Sequence, residues 1–90
     1  MFHRVKSVLP LPDLSLLVEF ENGSRKVYDI KPLFAKWRSF QALADIEGLF
    51  EQVRVDTGGY GISWNDDLDL ACDELYHNGS EIESDTIKPG

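Results

Sequence analysis

The chain has 90 residues with a hydrophobic content of 42%, which suits one globular domain and excludes a disordered chain or a two-domain protein. Its single cysteine, Cys72, excludes an intramolecular disulfide and a cysteine-based zinc site. The net charge of −7 at pH 7 disfavours a nucleic-acid phosphate backbone as the partner.

The N-terminal third predicts a strand followed by a hairpin. Residues 4–9 are rich in Val and read as the first strand, which Pro10 is expected to end. Residues 14–21 alternate and predict a second strand, and residues 24–30 predict its return. Asn22-Gly23 between them is the preferred pair for a type I′ turn. The inward face is predicted to carry Leu14, Leu16, Val18 and Phe20.

The middle of the chain predicts two short helices. Pro32 suits the first turn of a helix that runs to Trp37. Ser39 is a candidate N-cap for a second helix over residues 40–44. Leu33, Phe34 and Trp37 recur at spacings of three and four, which predicts a short helix packed on the sheet. The inner face of the second helix is predicted to carry Phe40, Leu43 and Ala44. The aromatic residues are expected to be mostly core, with one apolar patch left exposed around Trp37.

A second hairpin is predicted in the C-terminal half. Residues 51–56 and 60–64 alternate around the turn Thr57-Gly58-Gly59. Asn65-Asp66-Asp67 is expected to end it, and a helical turn near residues 73–76 is expected to stop at Gly79.

These elements predict the α+β class: a small antiparallel sheet built from two hairpins plus an N-terminal strand, with two or three short helices packed on it. The domain is predicted to span residues 1–79, followed by a flexible acidic tail over residues 80–90. A signal-peptide pattern and a membrane-length apolar run are both missing from the sequence, so a cytoplasmic protein without membrane contact is expected.

The excess negative charge lies near the C-terminus. Residues 1–64 carry eight acids and eight bases, whereas residues 65–90 carry eight acids and only Lys88. The acids are Asp66, Asp67, Asp69, Asp73, Glu74, Glu81, Glu83 and Asp85. Such a segment attracts a basic protein partner. The alternative interpretation is a solvated tail that improves solubility.

Several short sequence motifs follow one another in a recognisable order. Phe20-Glu21-Asn22-Gly23 precedes Val27-Tyr28-Asp29-Ile30, and further pieces are Phe40 with Leu43 and Asp45, Phe50, Val53, Val55-Asp56, Ile62 with Trp64 and Asn65, Asp69-Leu70, and Leu75-Tyr76. Over roughly residues 3–79 this order resembles a bacterial family known as domain of unknown function 2442. The resemblance implies a small α+β domain with no established activity, substrate or cofactor.

The family resemblance also implies a biological setting. The resemblance implies a family whose members occur as free-standing small proteins. Some members resemble one half of a toxin–antitoxin-like gene pair, and some are fused ahead of a helix-turn-helix domain. This chain is expected to leave no room for such a DNA-binding domain.

Three motifs suggest chemistry, and each has a better structural interpretation. Asn65-Asp66-Asp67-Leu68-Asp69 lacks the glycine and the closing glutamate of a calcium loop, so a turn is favoured. Cys72 and His77 are five residues apart, but the surrounding carboxylates raise a thiol pKa, so a structural or surface cysteine is favoured. Gly58-Gly59-Tyr60-Gly61 joins two predicted strands and therefore predicts a hairpin turn, not a phosphate cradle. His3 is expected at the surface.

Basic residues between positions 25 and 38 form the main counter-signal to the acidic C-terminal region. They are Arg25, Lys26, Lys31, Lys36 and Arg38, and they lie close to Trp37. Nucleic-acid binding uses such a stripe with exposed aromatic residues. Half of the stripe lies on an alternating strand, where basic residues commonly guard an outer face. Nucleic acid is therefore not the predicted partner.

The sequence predicts a non-catalytic protein-interaction or regulatory module, antitoxin-like, that binds a small basic protein. The alternative is a small-ligand sensor domain of a transcription-regulator system that lacks its DNA-binding domain. Catalytic residues, metal ligands and cofactors are not predicted. A homodimer through a sheet edge is compatible with both hypotheses. The predicted interaction surface consists of Trp37, Asp66, Asp67, Asp69, Asp73 and Glu74.

Overall fold

This computed structural model describes residues 3–82 of the chain, which contain seven β-strands and three short α-helices. The strands are β1 (Val5–Leu11), β2 (Ser15–Phe20), β3 (Arg25–Asp29), β4 (Arg54–Val55), β5 (Gly61–Asn65), β6 (Leu68–Ala71) and β7 (Ser80–Glu81). The helices are α1 (Leu33–Lys36), α2 (Ala42–Asp45) and α3 (Cys72–Asn78). This composition confirms the predicted α+β class.

The strands form two antiparallel sheets. One sheet has four strands in the order β1-β2-β3-β7, and the other has three in the order β4-β5-β6. Both predicted hairpins are present, but they lie in separate sheets and not in one. The strand β1 contacts β4 and β5 through packing without joining their ladder. The contact holds the two sheets against each other.

The first hairpin has the predicted strands and a different turn. Gly23 is left-handed with φ of 93°, whereas Asn22 and Glu21 are not, so the type I′ prediction is wrong. The N–H of Gly23 donates to the Phe20 carbonyl oxygen at 2.9 Å, and the N–H of Phe20 donates to the Ser24 carbonyl oxygen at 2.8 Å. These bonds close a three-residue loop whose last position takes the left-handed conformation that glycine supplies at low cost.

The strand β1 continues through Pro10 and ends at Leu11, two residues beyond the prediction. Pro10 pairs with Leu16 in the ladder to β2. Since β1 is an edge strand of its sheet, the missing proline N–H can face away from the partner strand, which is where proline is tolerated.

The region predicted as a second helix contains a 3₁₀ turn followed by a short α-helix. Arg38–Gln41 form a 3₁₀ turn, and α2 then runs over Ala42–Asp45. Ser39 lies inside the turn and does not cap a helix, and Ala44 is exposed while Leu43 is buried. A 3₁₀ turn has three residues per turn, so it rotates the following residues away from the faces that a continuous α-helix would give them.

The second hairpin is shorter at its start and longer at its end than predicted. Phe50–Gln52 form a 3₁₀ turn, so β4 contains only Arg54 and Val55 of the predicted strand. The strand β6, which the sequence analysis missed, follows a tight turn after β5. The N–H groups of Asp67 and Leu68 both donate to the Asn65 side-chain oxygen at 2.9 Å. The residues expected to end the hairpin therefore turn the chain into one more strand.

The helix α3 ends at Gly79 as predicted, with its N–H donating to the Leu75 carbonyl oxygen at 3.0 Å. The chain then forms β7, which pairs with β3 through Lys26 with Glu81 and Val27 with Ser80. The first residues of the predicted tail thus belong to the sheet. Residues 83–90, the rest of that predicted tail, lie outside the described residues.

Both sheets and all three helices contribute to one hydrophobic core. Trp64 of β5 is 2% exposed, stacks near Phe50 at 6.3 Å and meets Phe40 edge-on at 6.2 Å between ring centroids. Its ring N–H donates to the Phe50 carbonyl oxygen at 3.0 Å, which satisfies a buried donor. On α3, Leu75 is fully buried and fixes this helix against the core.

Candidate functional site

A pocket of about 360 Å³ lies where the segment after α1 faces the junction of β6 and α3. It is lined by Trp37, Ser39, Phe40, Asp69, Leu70, Ala71 and Glu74. Apolar groups and two carboxylates therefore share one concave surface. Concave surfaces with a few placed polar groups are the usual form of a binding site.

Trp37 forms one wall because the chain changes direction there. Its N–H donates to the Leu33 carbonyl oxygen at 2.8 Å, and its backbone then becomes extended as α1 ends. The indole lies 5.9 Å from the Phe40 ring between centroids and is 48% exposed. The expected exposure of Trp37 is confirmed.

Asp69 lines the pocket from the strand β6. Its neighbours Leu68 and Leu70 are buried, and Asp69 itself is exposed on the opposite face. Successive side chains of a strand point to opposite faces. The short strand that the sequence analysis missed is therefore the element that presents this carboxylate.

Glu74 lies on the first turn of α3, and its carboxylate is held by Tyr28 of the four-stranded sheet. The Tyr28 hydroxyl of β3 donates to the Glu74 carboxylate oxygen Oε2 at 2.7 Å. Tyr28 is itself buried. A carboxylate has two acceptor oxygens, so the bond fixes the orientation of Glu74 and leaves its second oxygen for a ligand.

The Tyr28 hydroxyl keeps its proton at neutral pH and therefore donates the hydrogen bond to Glu74. Burial raises its pKa well above the ordinary value of 10.0, and the hydrogen bond to the Glu74 carboxylate raises it further. The bond therefore has one polarity at neutral pH, with tyrosine as donor and a carboxylate as acceptor.

The structure brings together half of the predicted interaction surface. Trp37, Asp69 and Glu74 line the pocket. Asp66 and Asp67 are exposed in the turn between β5 and β6 and do not line it. A third group contains Asp73, whose carboxylate lies within 4.8 Å of ligand atoms of His3 and His77. The five acids of the predicted interaction surface are thus divided among three places.

Sequence reasoning missed Tyr28 as the residue that holds Glu74, and it missed the floor of the pocket. Tyr28 and Glu74 are 46 residues apart in the sequence, so local pattern gives no signal for their contact. The floor residues Phe40 and Leu70 are buried and carry only the signal of an ordinary core residue.

The predicted basic stripe is partly engaged within the protein. Lys31 forms an ion pair with Asp29 at 3.0 Å and donates to the Asp13 carbonyl oxygen at 2.7 Å. Lys26 places its ammonium group 4.3 Å from the Tyr76 ring centroid. The Lys36 ammonium lies 5.2 Å from the Trp37 ring centroid, so three of the five basic residues make contacts within the protein.

The remaining motifs have structural roles, with one correction. Asn65-Asp66-Asp67 is the hairpin turn described above, as favoured over a calcium loop. Cys72 is buried, and burial raises the pKa of its thiol, which the adjacent Asp73 carboxylate raises further. His3 is half-buried and stacked on Tyr76 with ring centroids 3.6 Å apart. The expected surface position of His3 is therefore wrong, because the N-terminal segment packs on α3.

A family model described as protein of unknown function, DUF2442, matches residues 5–81. The chain belongs to this family. The matched range runs from the start of β1 to the end of β7, so the family covers both sheets and α3. The family match identifies the domain but assigns it no activity.

Neither the curated proteins nor the solved structures contain a significant match to the chain. In residues 3–82, all of the helices are too short and too polar to cross a membrane.

Proposed function

We propose that this member of the family is a non-catalytic protein-interaction module that binds a lysine or arginine side chain of a small basic protein. The observation that carries the proposal is the pocket itself, in which an exposed indole lies with the carboxylates of Asp69 and Glu74 above an apolar floor. A long basic side chain has the matching form, an apolar stem with a cationic head.

The indole supports recognition of a cation. Tryptophan is the best aromatic partner for ammonium and guanidinium groups. The Trp37 ring already has the ammonium of Lys36 5.2 Å from its centroid, although Lys36 does not line the pocket. The ring is thus accessible to cations, and its pocket side is available for one from a partner.

The charge around the pocket supports the same ligand class. Asp69 and Glu74 line the pocket, and the exposed Asp66 and Asp67 lie in the turn that leads into β6. The field of such a group attracts basic partners and accelerates their encounter at low ionic strength. The antitoxin-like role is the most specific form of this proposal, with a basic toxin-like protein as the partner.

A defined peptide tests the proposal directly. A short lysine-rich peptide and its glutamine-substituted counterpart are titrated against the protein at low salt, and tryptophan fluorescence reports on Trp37. The lysine peptide is expected to bind, and the pair Asp69→Gln and Glu74→Gln is expected to weaken it about 10-fold, the sum of two partly exposed ion pairs. Added salt should weaken binding further.

The matched control is the pair Glu47→Gln and Glu51→Gln. Both residues are exposed and neither lines the pocket. Because each pair of substitutions removes two acids, the control variant has the same net charge as the pocket variant. Equal weakening by both pairs would show that only net charge matters and would overturn the pocket proposal. Equal binding of the glutamine peptide would overturn the requirement for a cation.

The second candidate function is a sensor for a small organic cation. The volume of about 360 Å³ lies within the range of small-molecule sites, roughly 300–1,000 Å³. Thermal shift with free diamines distinguishes the two functions. Stabilisation by a diamine that is lost with the Asp69 and Glu74 variant would favour the sensor, whereas binding of the peptide alone favours the interaction module.

A further inference from the structure

A second group of polar side chains lies on a different side of α3 from the pocket. Asp73 and His77 are four residues apart and so project from one face of the helix. His3, just before β1, meets them. One ligand atom from each of the three side chains lies within 4.8 Å of the others. His3 and Asp73 are half-buried, and His77 is exposed.

The His3 ring is held in place by aromatic contacts. It stacks on Tyr76 with centroids 3.6 Å apart and an interplanar angle of 5°, and it meets His77 edge-on at 6.0 Å. On Tyr76, Lys26 lies 4.3 Å from the ring centroid. Because His3 covers one face of the Tyr76 ring, Lys26 covers the other. One of the three candidate ligands is therefore already oriented before any ligand arrives.

One nitrogen of this ring has no partner within the described residues. His3 Nδ1 is shielded from solvent and makes no hydrogen bond. Leaving a buried nitrogen in this state is unfavourable, because its lost hydrogen bond to water is not replaced. Most buried polar atoms have a partner, so an unpaired nitrogen on a ring that belongs to a group of ligating side chains points to a ligand.

The donor set identifies the class of that ligand. Two imidazoles and one carboxylate suit borderline transition metals such as zinc, whereas calcium and magnesium take oxygen donors. Ligands of tetrahedral zinc lie roughly 3.3 Å apart, given metal–ligand distances of about 2.0–2.2 Å. The three ligand atoms lie within 4.8 Å of one another, so the side chains must approach by up to about 1.5 Å to bind one ion. Three protein ligands leave a fourth position for water or for a partner's side chain.

We infer that His3, Asp73 and His77 form a binding site for a divalent transition metal ion of the zinc type. The site joins the N-terminal segment to α3, so the ion links the start of β1 to the helix that carries Glu74. The inference is independent of the proposed pocket function, because none of its three ligands lines the pocket.

Zinc binding to the tag-free protein, measured by calorimetry, tests the inference. One ion per chain is expected to bind, and nitrogen NMR of the imidazole rings is expected to shift for both histidines. The variants Asp73→Asn and His77→Gln should each weaken zinc at least ~10-fold. Asp69→Asn is the charge-matched control, since Asp69 is outside the cluster, and it should bind zinc as the native protein does.

Several outcomes would overturn the site. Failure of the native protein to bind zinc at about millimolar concentration would do so. Unchanged affinity in both cluster variants would show that Asp73 and His77 do not hold the ion. An Asp69→Asn variant as weak as Asp73→Asn would show a general charge effect. Far-UV circular dichroism of each variant verifies that the fold is intact, and the exposure of His77 makes its replacement the safest of the set.

Discussion

Two adjacent residues of α3, Asp73 and Glu74, belong to two different sites. Glu74 lines the pocket with Trp37 and accepts a hydrogen bond from Tyr28, whereas Asp73 lies with His3 and His77. Consecutive residues of an α-helix are rotated by about 100°, so neighbours in sequence serve different faces. A run of acids in a sequence therefore does not define a single surface.

The two faces also differ in what holds them. On the pocket face, the Glu74 carboxylate is oriented by a hydrogen bond from Tyr28 of the four-stranded sheet. On the other face, an imidazole is oriented by stacking, and its Nδ1 atom lacks a partner. The first arrangement is satisfied before a ligand binds, and the second is incomplete. This difference favours a weak, exchangeable cation on one face and a coordinated ion on the other.

The largest expected effect comes from removing the anchor that both faces share. Leu75 lies between Glu74 and the Tyr76–His77 side and is fully buried. Leu75→Ala should lower the free energy of unfolding by about 3 kcal/mol, through lost burial and a residual cavity. Urea unfolding is measured by fluorescence of the buried Trp64 and by circular dichroism.

Coincident transitions by the two probes are expected, because α3 packs into the same core as Trp64. Asn78→Ala is the control on the same helix, since Asn78 is exposed, and it should change stability by less than about 0.5 kcal/mol. A loss below about 1 kcal/mol for Leu75→Ala would contradict the anchoring role.

A smaller effect is expected from the bond that holds Glu74. Tyr28→Phe should lower stability by about 1 kcal/mol at neutral pH, because it removes a hydrogen bond to a charged group that is only partly buried. The effect should depend on pH. The folded pKa of Tyr28 is raised above its ordinary value of 10.0, so the contribution is fully present below that value and is lost as pH rises above it.

The measurement is urea unfolding of both proteins from about pH 9 to about pH 11, on either side of the ordinary tyrosine value of 10.0. The stability gap between native protein and Tyr28→Phe should narrow across this range. Tyr60→Phe controls for general tyrosine ionisation, because Tyr60 is 49% exposed. A constant gap would show that the Tyr28 proton does not stabilise the fold.

The sequence predicted those parts of the fold that local patterns encode. The alternation of Leu16, Val18 and Phe20 predicted a strand whose three side chains are fully buried. The strand β6 was missed because its alternating residues, Leu68 and Leu70, lie within a run of aspartates that reads as a break. The turn at Gly23 needed backbone angles that composition alone does not distinguish, since Asn-Gly suits more than one loop.

The candidate sites were predictable only in part, and for a related reason. Trp37 was identifiable because a domain this small cannot bury all of its large aromatic residues. The contact of Tyr28 with Glu74, and that of His3 with α3, depends on how the two sheets pack. Residues that far apart along the chain leave no periodic signal, so composition grouped the acids while packing separated them.

The smallest expected effect concerns Asp73 in the metal-free protein. In excess chelator, Asp73→Asn should lower stability by no more than about 0.5 kcal/mol, the value of one acid in the first turn of a helix. With zinc at roughly 100 times the native dissociation constant, the native protein gains about 2.7 kcal/mol and a variant that binds 10-fold more weakly gains about 1.4 kcal/mol, so the gap should widen by at least about 1.3 kcal/mol. Glu74→Gln should show no such widening. A gap that is equally large in chelator would make Asp73 a structural residue and would remove the distinction between the two faces of α3.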